Sequence, residues 1–180
     1  MFSKRSMFRS IVPAGVIFAC MVIITLTPFH SFSQSTGSAY VSARIITPIG
    51  ISKNADMNFG NLSVGSSGGF VVLDPTGSRN PTGSVVLPST TGTVTAASFT
   101  IQGTPNYSFS ITLPASDVTQ ASNVYLMTAG AFTSNPGPTG MLNGNGQQTL
   151  TIGATLTVSG NQEPGDYITP SPFNIIVNYN

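Results

Sequence analysis

The sequence predicts an all-β, antiparallel fold, and three observations carry that expectation. After residue 34 no stretch of useful length repeats apolar residues at helical spacing. Short runs rich in Val, Ile, Thr, Phe and Tyr instead alternate apolar with polar residues, the pattern of half-buried strands. Clusters of Gly, Pro, Asn and Ser interrupt these runs every 8–12 residues or so, the rhythm of a β-sandwich or barrel. Nothing supplies crossover helices, so a parallel sheet is not expected.

The N-terminus reads as an address. Lys4, Arg5 and Arg9 form a basic segment, and Ile11 to Leu26 is an uncharged apolar run. That run falls short of the roughly 20 residues needed to span a bilayer core, and Pro13 and Gly15 weaken it as a helix. Ser31 and Ser33 supply the small residues of a signal-peptidase site. The expectation is a cleaved signal peptide over 1–33 and one domain over 34–180, exported through the general secretory pathway to the periplasm or cell surface. The mature chain is expected to have no membrane span.

The elements of that domain follow in order. Tyr40 to Ile46 is the first run, ended by Pro48 and Gly50. Asp56 to Phe59 alternates as a half-buried strand does. Gly69 to Leu73 precedes the turn Asp74-Pro75-Thr76-Gly77, where Pro presets φ and Gly suits the end. Ser84 to Leu87 is stopped by Pro88. Ala97 to Gln102 and Tyr107 to Leu113 read as a hairpin joined by Gly103-Thr104-Pro105-Asn106. Val124 to Met127 and Ala131 to Thr133 are short. Asn143-Gly144-Asn145-Gly146 is a strong turn signal. Leu150 to Val158 is a long strand with a bend at Gly153, and Phe173, Ile175, Val177 and Tyr179 mark a final strand. The reading yields about nine strands.

Composition limits the chemistry. The chain is 6% charged, too sparse for the clustered basic footprint of a nucleic-acid binder. Its one Cys and one His, Cys20 and His30, leave with the signal peptide. The mature chain then has no thiol, no disulfide and no imidazole, the commonest general base and metal ligand. Arg44, Lys53 and Arg79 face five carboxylates, a slightly acidic balance. Glu163 and Asp166 flank Pro164-Gly165 and read as a polar turn rather than as paired catalytic acids. Asp56, Asp74 and Asp117 lack the dense spacing of a calcium loop. The expectation is a protein that is no enzyme, with no catalytic residue, no cofactor and no metal. Tyr40, Tyr107, Tyr125, Tyr167 and Tyr179 would form a sugar-stacking platform only if two or three shared one exposed face.

Five segments carry a family resemblance. They are Ile46 to Ile51, Asp56 to Leu62, Val71 to Gly77, Gln148 to Leu156 and Val177 to Asn180. In this order they resemble secreted bacterial proteins of the domain-of-unknown-function family 4402, over essentially the whole mature chain. That family is distantly similar to spore-coat-protein-U-like and archaic chaperone–usher pilin subunits. The resemblance implies an immunoglobulin-like antiparallel sandwich with a Gly-x-Tyr and a closing strand that ends in an aromatic, here Gly165, Tyr167, Phe173, Val177 and Tyr179. One departure is Ile168-Thr169-Pro170-Ser171-Pro172, where two prolines remove two ladder donors and demand an edge, a bulge or a loop.

The resemblance implies a pilin-like or coat-like surface subunit assembling by strand exchange or edge pairing. Its partners would be copies of itself or related subunits, a periplasmic chaperone and an outer-membrane usher. In residues 34–47, Ala39, Val41, Ala43 and Ile45 alternate with Tyr40, Ser42 and Arg44. Two readings fit this segment: the chain's own first strand, or a strand donated to a neighbour. A different class of function, a monomeric extracellular binding module for glycan or matrix, is the alternative.

Overall fold

The computed structural model of the chain describes residues 33–180 other than 116, 123 and 124. All but the last residue of the expected signal peptide lies outside them. Two compact units divide after Ala43. The described part of the first, residues 33–43, is exposed and carries no helix or strand. The second, Arg44–Asn180, holds ten strands among the described residues and no helix.

Those strands are β1 (Gly50–Ala55), β2 (Ser63–Leu73), β3 (Arg79–Val86), β4 (Ala97–Gln102), β5 (Ser108–Thr112), β6 (Val118–Ser122), β7 (Tyr125–Asn135), β8 (Thr139–Met141), β9 (Gln147–Val158) and β10 (Ile176–Tyr179). They make two sheets of seven and three strands, the expected sandwich, and every ladder is antiparallel.

β9 organises the larger sheet. Leu150, Ile152, Ala154, Leu156 and Val158 point inward and are buried, while Thr149, Thr151, Thr155 and Thr157 take the opposite face. One edge of β9 pairs with β7. The other is divided: β4 pairs with Gln147–Ile152, and β2 pairs with Ala154–Val158. Gly153 sits at the junction, where a Cβ would run into the carbonyl of Leu73. The sheet thus continues as β9-β4-β1 from one half of β9 and as β9-β2-β3 from the other.

The core follows this division. Around the second half of β9, Val71, Leu73, Val85, Ala129, Leu156 and Val158 are buried together with Phe59. Around the first half, Ala97, Ile101, Leu142, Leu150 and Ile152 pack on Phe109 and Ile111 of the smaller sheet. Phe132 and Met57 pack against both clusters and join them.

Several sequence expectations are corrected. The Gly103–Asn106 connection is not a hairpin, because β4 pairs with β1 and β9 whereas β5 pairs with β10 and β8. The four residues carry the chain from one sheet to the other, so that Ile101 and Phe109 meet in one core. Tyr40 to Ile46 forms no strand; the first one starts at Gly50, where the turn-forming Pro48 and Gly50 suggested an end. Asp56 to Phe59 contributes a single bridge, Asn58 with Thr95. The two short runs at 124–127 and 131–133 fall within one strand, β7, beyond Val124, which lies outside the described residues. A register shift crosses its Ala131, at φ 46°. β1, β6 and β8 are strands the pattern did not show.

The turn residues behave as their chemistry dictates. The Asp74 carboxylate accepts hydrogen bonds from the Thr76 hydroxyl, the Thr76 N–H (2.8 Å) and the Ser78 N–H (3.3 Å). Gly77 closes the turn at φ 90°, its N–H 3.0 Å from the Asp74 carbonyl. At the other strong turn, Asn143 Oδ1 accepts from the N–H of Asn145 (2.9 Å) and of Gln147 (3.0 Å).

Leu156→Ala removes a side chain that is 1% exposed beside the β9 junction. It should cost about 2–5 kcal/mol of unfolding free energy, read from the urea midpoint. The Thr76 hydroxyl first, then the turn N–H groups, hold the Asp74 carboxyl below its ordinary pKa of 3.8. A depressed folded-state pKa stabilises above the unfolded value and is lost as pH falls through the folded one. The melting temperature should therefore drop, below pH 3.8, more in the wild type than in Asp74→Asn.

Candidate functional site: an uncovered side of the sandwich

The two sheets do not cover one another at the β1–β10 side. In the smaller sheet the order is β10-β5-β8, so the outer edge of β10 has no partner among the described residues. In the larger sheet β1 is likewise terminal. The Tyr179 hydroxyl reaches Thr47, three residues before β1 begins, so the two edges border the same side of the domain.

Register shows what this side lacks. Ile51 pairs with Ile101 and Lys53 with Phe99, which puts both β1 residues on the core-facing surface. Ile101 is fully buried, yet Ile51 remains 38% exposed. On β10, Val177 and Tyr179 pair with the buried Ile111 and Phe109, and are themselves only half-buried. Apolar side chains of both sheets thus turn inward here with too little above them. One extended strand alongside β10 would satisfy its free N–H and C=O groups and cover Ile51 and Val177. Lys53, directed inward on an edge strand, is the kind of charge that discourages indiscriminate pairing. Its ammonium lies 2.7 Å from Asp56 Oδ1, a solvated pair of little energetic weight.

A polar lock closes one end of this side. The Tyr179 hydroxyl donates to the Thr47 carbonyl (2.8 Å) and accepts from the Thr104 N–H (2.7 Å). The Thr47 N–H donates to Thr104 Oγ1 at 2.9 Å. Thr104 is the one buried polar residue among those described. Gly103 allows the approach, since a Cβ there would meet the Tyr179 hydroxyl. Tyr107 meets Tyr179 edge to face, with ring centroids 5.6 Å apart. The lock joins the start of the domain, the crossing between sheets and the penultimate residue of the chain.

The other residues singled out from the sequence are placed as follows. Ala39, Val41 and Ala43, with Ile45 after them, are exposed and belong to no strand; Val41 and Ile45 are 97% and 98% exposed. Phe173 and Ile175 precede β10 but pack against the same core cluster as Val177 and Tyr179. Residues 169–175 carry no strand, as the two prolines require. Glu163 and Asp166 are exposed, and the Glu163 carbonyl accepts the Tyr167 hydroxyl at 2.8 Å. Among the described residues no three His, Cys, Asp or Glu side chains come together. Sequence reading missed the uncovered side, because β1 was not recognised as a strand; the alternation of Ile51 and Lys53 was its one signal.

These features define a two-sheet antiparallel β-sandwich with one side left uncovered. Residues 49–179 match the model of the family described as Domain of unknown function (DUF4402), and the chain belongs to that family. No curated protein and no solved structure matches it.

Tyr179→Phe deletes the hydroxyl and leaves the Thr104 N–H and Thr47 C=O without their partner. It should destabilise by about 1–3 kcal/mol, with faster hydrogen exchange at the Thr104 amide, followed by NMR.

Proposed function

We propose that this protein is a non-enzymatic, secreted structural subunit that assembles by strand addition at the free edge of β10. The incoming strand is the Ala39–Ile45 segment of another copy. One observation carries the reading: an uncovered, half-apolar strand position in the domain coexists with an exposed, alternating apolar segment in the same chain. The fit is physical. Ala39, Val41, Ala43 and Ile45 form one face of an extended segment and would cover Ile51 and Val177, while Tyr40, Ser42 and Arg44 face solvent. Main-chain hydrogen bonds would supply part of the affinity and the buried Val and Ile side chains about 1.5–3 kcal/mol each.

A distant resemblance to chaperone–usher and spore-coat subunits, read from the sequence, supports the same reading. Until a partner strand arrives, the β10 edge is an aggregation hazard. A periplasmic chaperone that covers it, and an outer-membrane usher that replaces the chaperone with the next copy, are the partners this implies. The low charge of the chain favours close packing of many copies, since little self-repulsion opposes it.

The test is electrophoresis in SDS of protein sheared from the producing cells, unheated beside heated. Strand-exchanged polymers unfold slowly, so a ladder should persist in cold detergent and collapse to monomer on heating. Val41→Asp should abolish the ladder. Because Val41 is 97% exposed, the same change should leave the folded domain within about 0.5 kcal/mol of the wild type. Deleting residues 34–45, which spares the Thr47 lock, should also stop assembly, and the corresponding peptide should bind the truncated protein. A single monomer band in both lanes, or a ladder that survives Val41→Asp, sinks the proposal.

A further inference from the structure

The face of the larger sheet that points away from the core carries a second, unrelated feature. Across β6-β7-β9-β2-β3 the registers align Thr119 with Thr128, Thr128 with Thr157, Thr157 with Phe70, and Phe70 with Thr82. Partners in register share a face, so four threonines and one phenylalanine form a single row across five adjacent strands. Phe70 is 50% exposed although Val71 beside it is fully buried. Thr119, Thr157 and Thr82 are exposed and Thr128 is half-exposed. With strands about 4.8 Å apart, the row extends for roughly 19 Å. A shallow depression of about 590 Å³, lined by Ser67, Gly68, Gly69, Thr82 and Thr157 among others, opens beside the Phe70 ring.

The chemistry of this row is narrow. No residue in it is ionisable, and none of those lining the depression is. The next row offers Asn80, Val72 and Thr155, and then Gly130, against which the Asp117 carboxylate lies. Threonine hydroxyls both donate and accept hydrogen bonds. An isolated, half-exposed aromatic ring offers a flat apolar surface between them. A sugar chain matches both features: hydroxyls around each ring, and C–H groups on the face of the ring. A protein partner is a poorer match, because the row lacks the cluster of apolar or aromatic anchors that carries binding energy in such interfaces. With no cation in either row and the Asp117 carboxylate beside them, the face favours a neutral chain over an anionic one.

We propose that this outer face is a binding platform for a neutral polysaccharide laid across the strands, with Phe70 stacked on one sugar ring and Thr82 and Thr157 bonding the hydroxyls on either side. The platform shares no residue with the β10 edge and does not depend on assembly.

The test is co-sedimentation of the purified protein with cellulose, chitin and insoluble starch as neutral chains, and with calcium alginate as an anionic one. Retention is expected on at least one neutral polymer and not on alginate. Phe70→Ala should weaken it about tenfold. Thr157→Val, which keeps the side-chain shape but removes the hydroxyl, should weaken it to a smaller degree. Met141→Ala, an exposed residue of the other sheet, should change nothing. Thermal melts of each variant establish that it is folded. Phe70→Ala introduced into the Val41→Asp background should weaken retention by the same factor as in the wild-type background, which separates this platform from the assembly edge. Failure to bind any of the three neutral polymers, equal retention on alginate, or retention indifferent to Phe70→Ala would overturn the proposal.

Discussion

The pairing of β9 is the constraint on which the rest of the domain depends. This strand is hydrogen-bonded along both edges, and one of those edges is divided between β4 and β2. The division is possible because residue 153 has no side chain to collide with the Leu73 carbonyl. From it follow two branches of the larger sheet, two core clusters rather than one, and the side on which β1 ends up. The smaller sheet packs over only one of those branches, through Phe109 and Ile111.

The uncovered side is a consequence of that arrangement. Three strands cannot shield every inward-facing residue of the branch that ends in β1, so Ile51, and Val177 on the facing edge of the smaller sheet, are left partly exposed. The Tyr179 lock keeps this side in a defined shape. A hydroxyl near the C-terminus bonds the chain just before β1 and the crossing between sheets at once. A strand position held open by specific hydrogen bonds differs from a frayed edge. Under the proposed assembly it would present fixed geometry to an incoming strand, which would lower the ordering cost of association.

With so few charges, the domain relies on burial and on short-range polar contacts. The turns are closed by Asp74 and Asn143, whose side chains bond backbone N–H groups two and four residues on. Lys53 and Asp56 form an exposed pair, and Arg79 spends its guanidinium on the carbonyls of Phe59 and Asn61. The outer surface of the larger sheet is left to threonine, whose β-branched side chain suits a strand and whose hydroxyl keeps the face wet. The edge of β10 and this face are made of different chemistry and lie on different parts of the sandwich.

Local pattern alone determined the all-β class, the core faces of β5 and β9, and both strong turns. Each of these rests on alternation or on a backbone preference that a residue carries by itself. Tertiary structure decided which strands pair. The Gly103–Asn106 segment has the composition of a hairpin loop, yet it crosses between sheets, because both flanking strands find better partners far away in the chain. β1 was invisible because its terminal position leaves Ile51 and Lys53 without the burial that makes an alternating pattern apolar. The same applies to the candidate site. Val177 and Tyr179 were legible as a strand face, but a free edge is a statement about a missing neighbour, and no local sequence pattern records which neighbours a strand lacks.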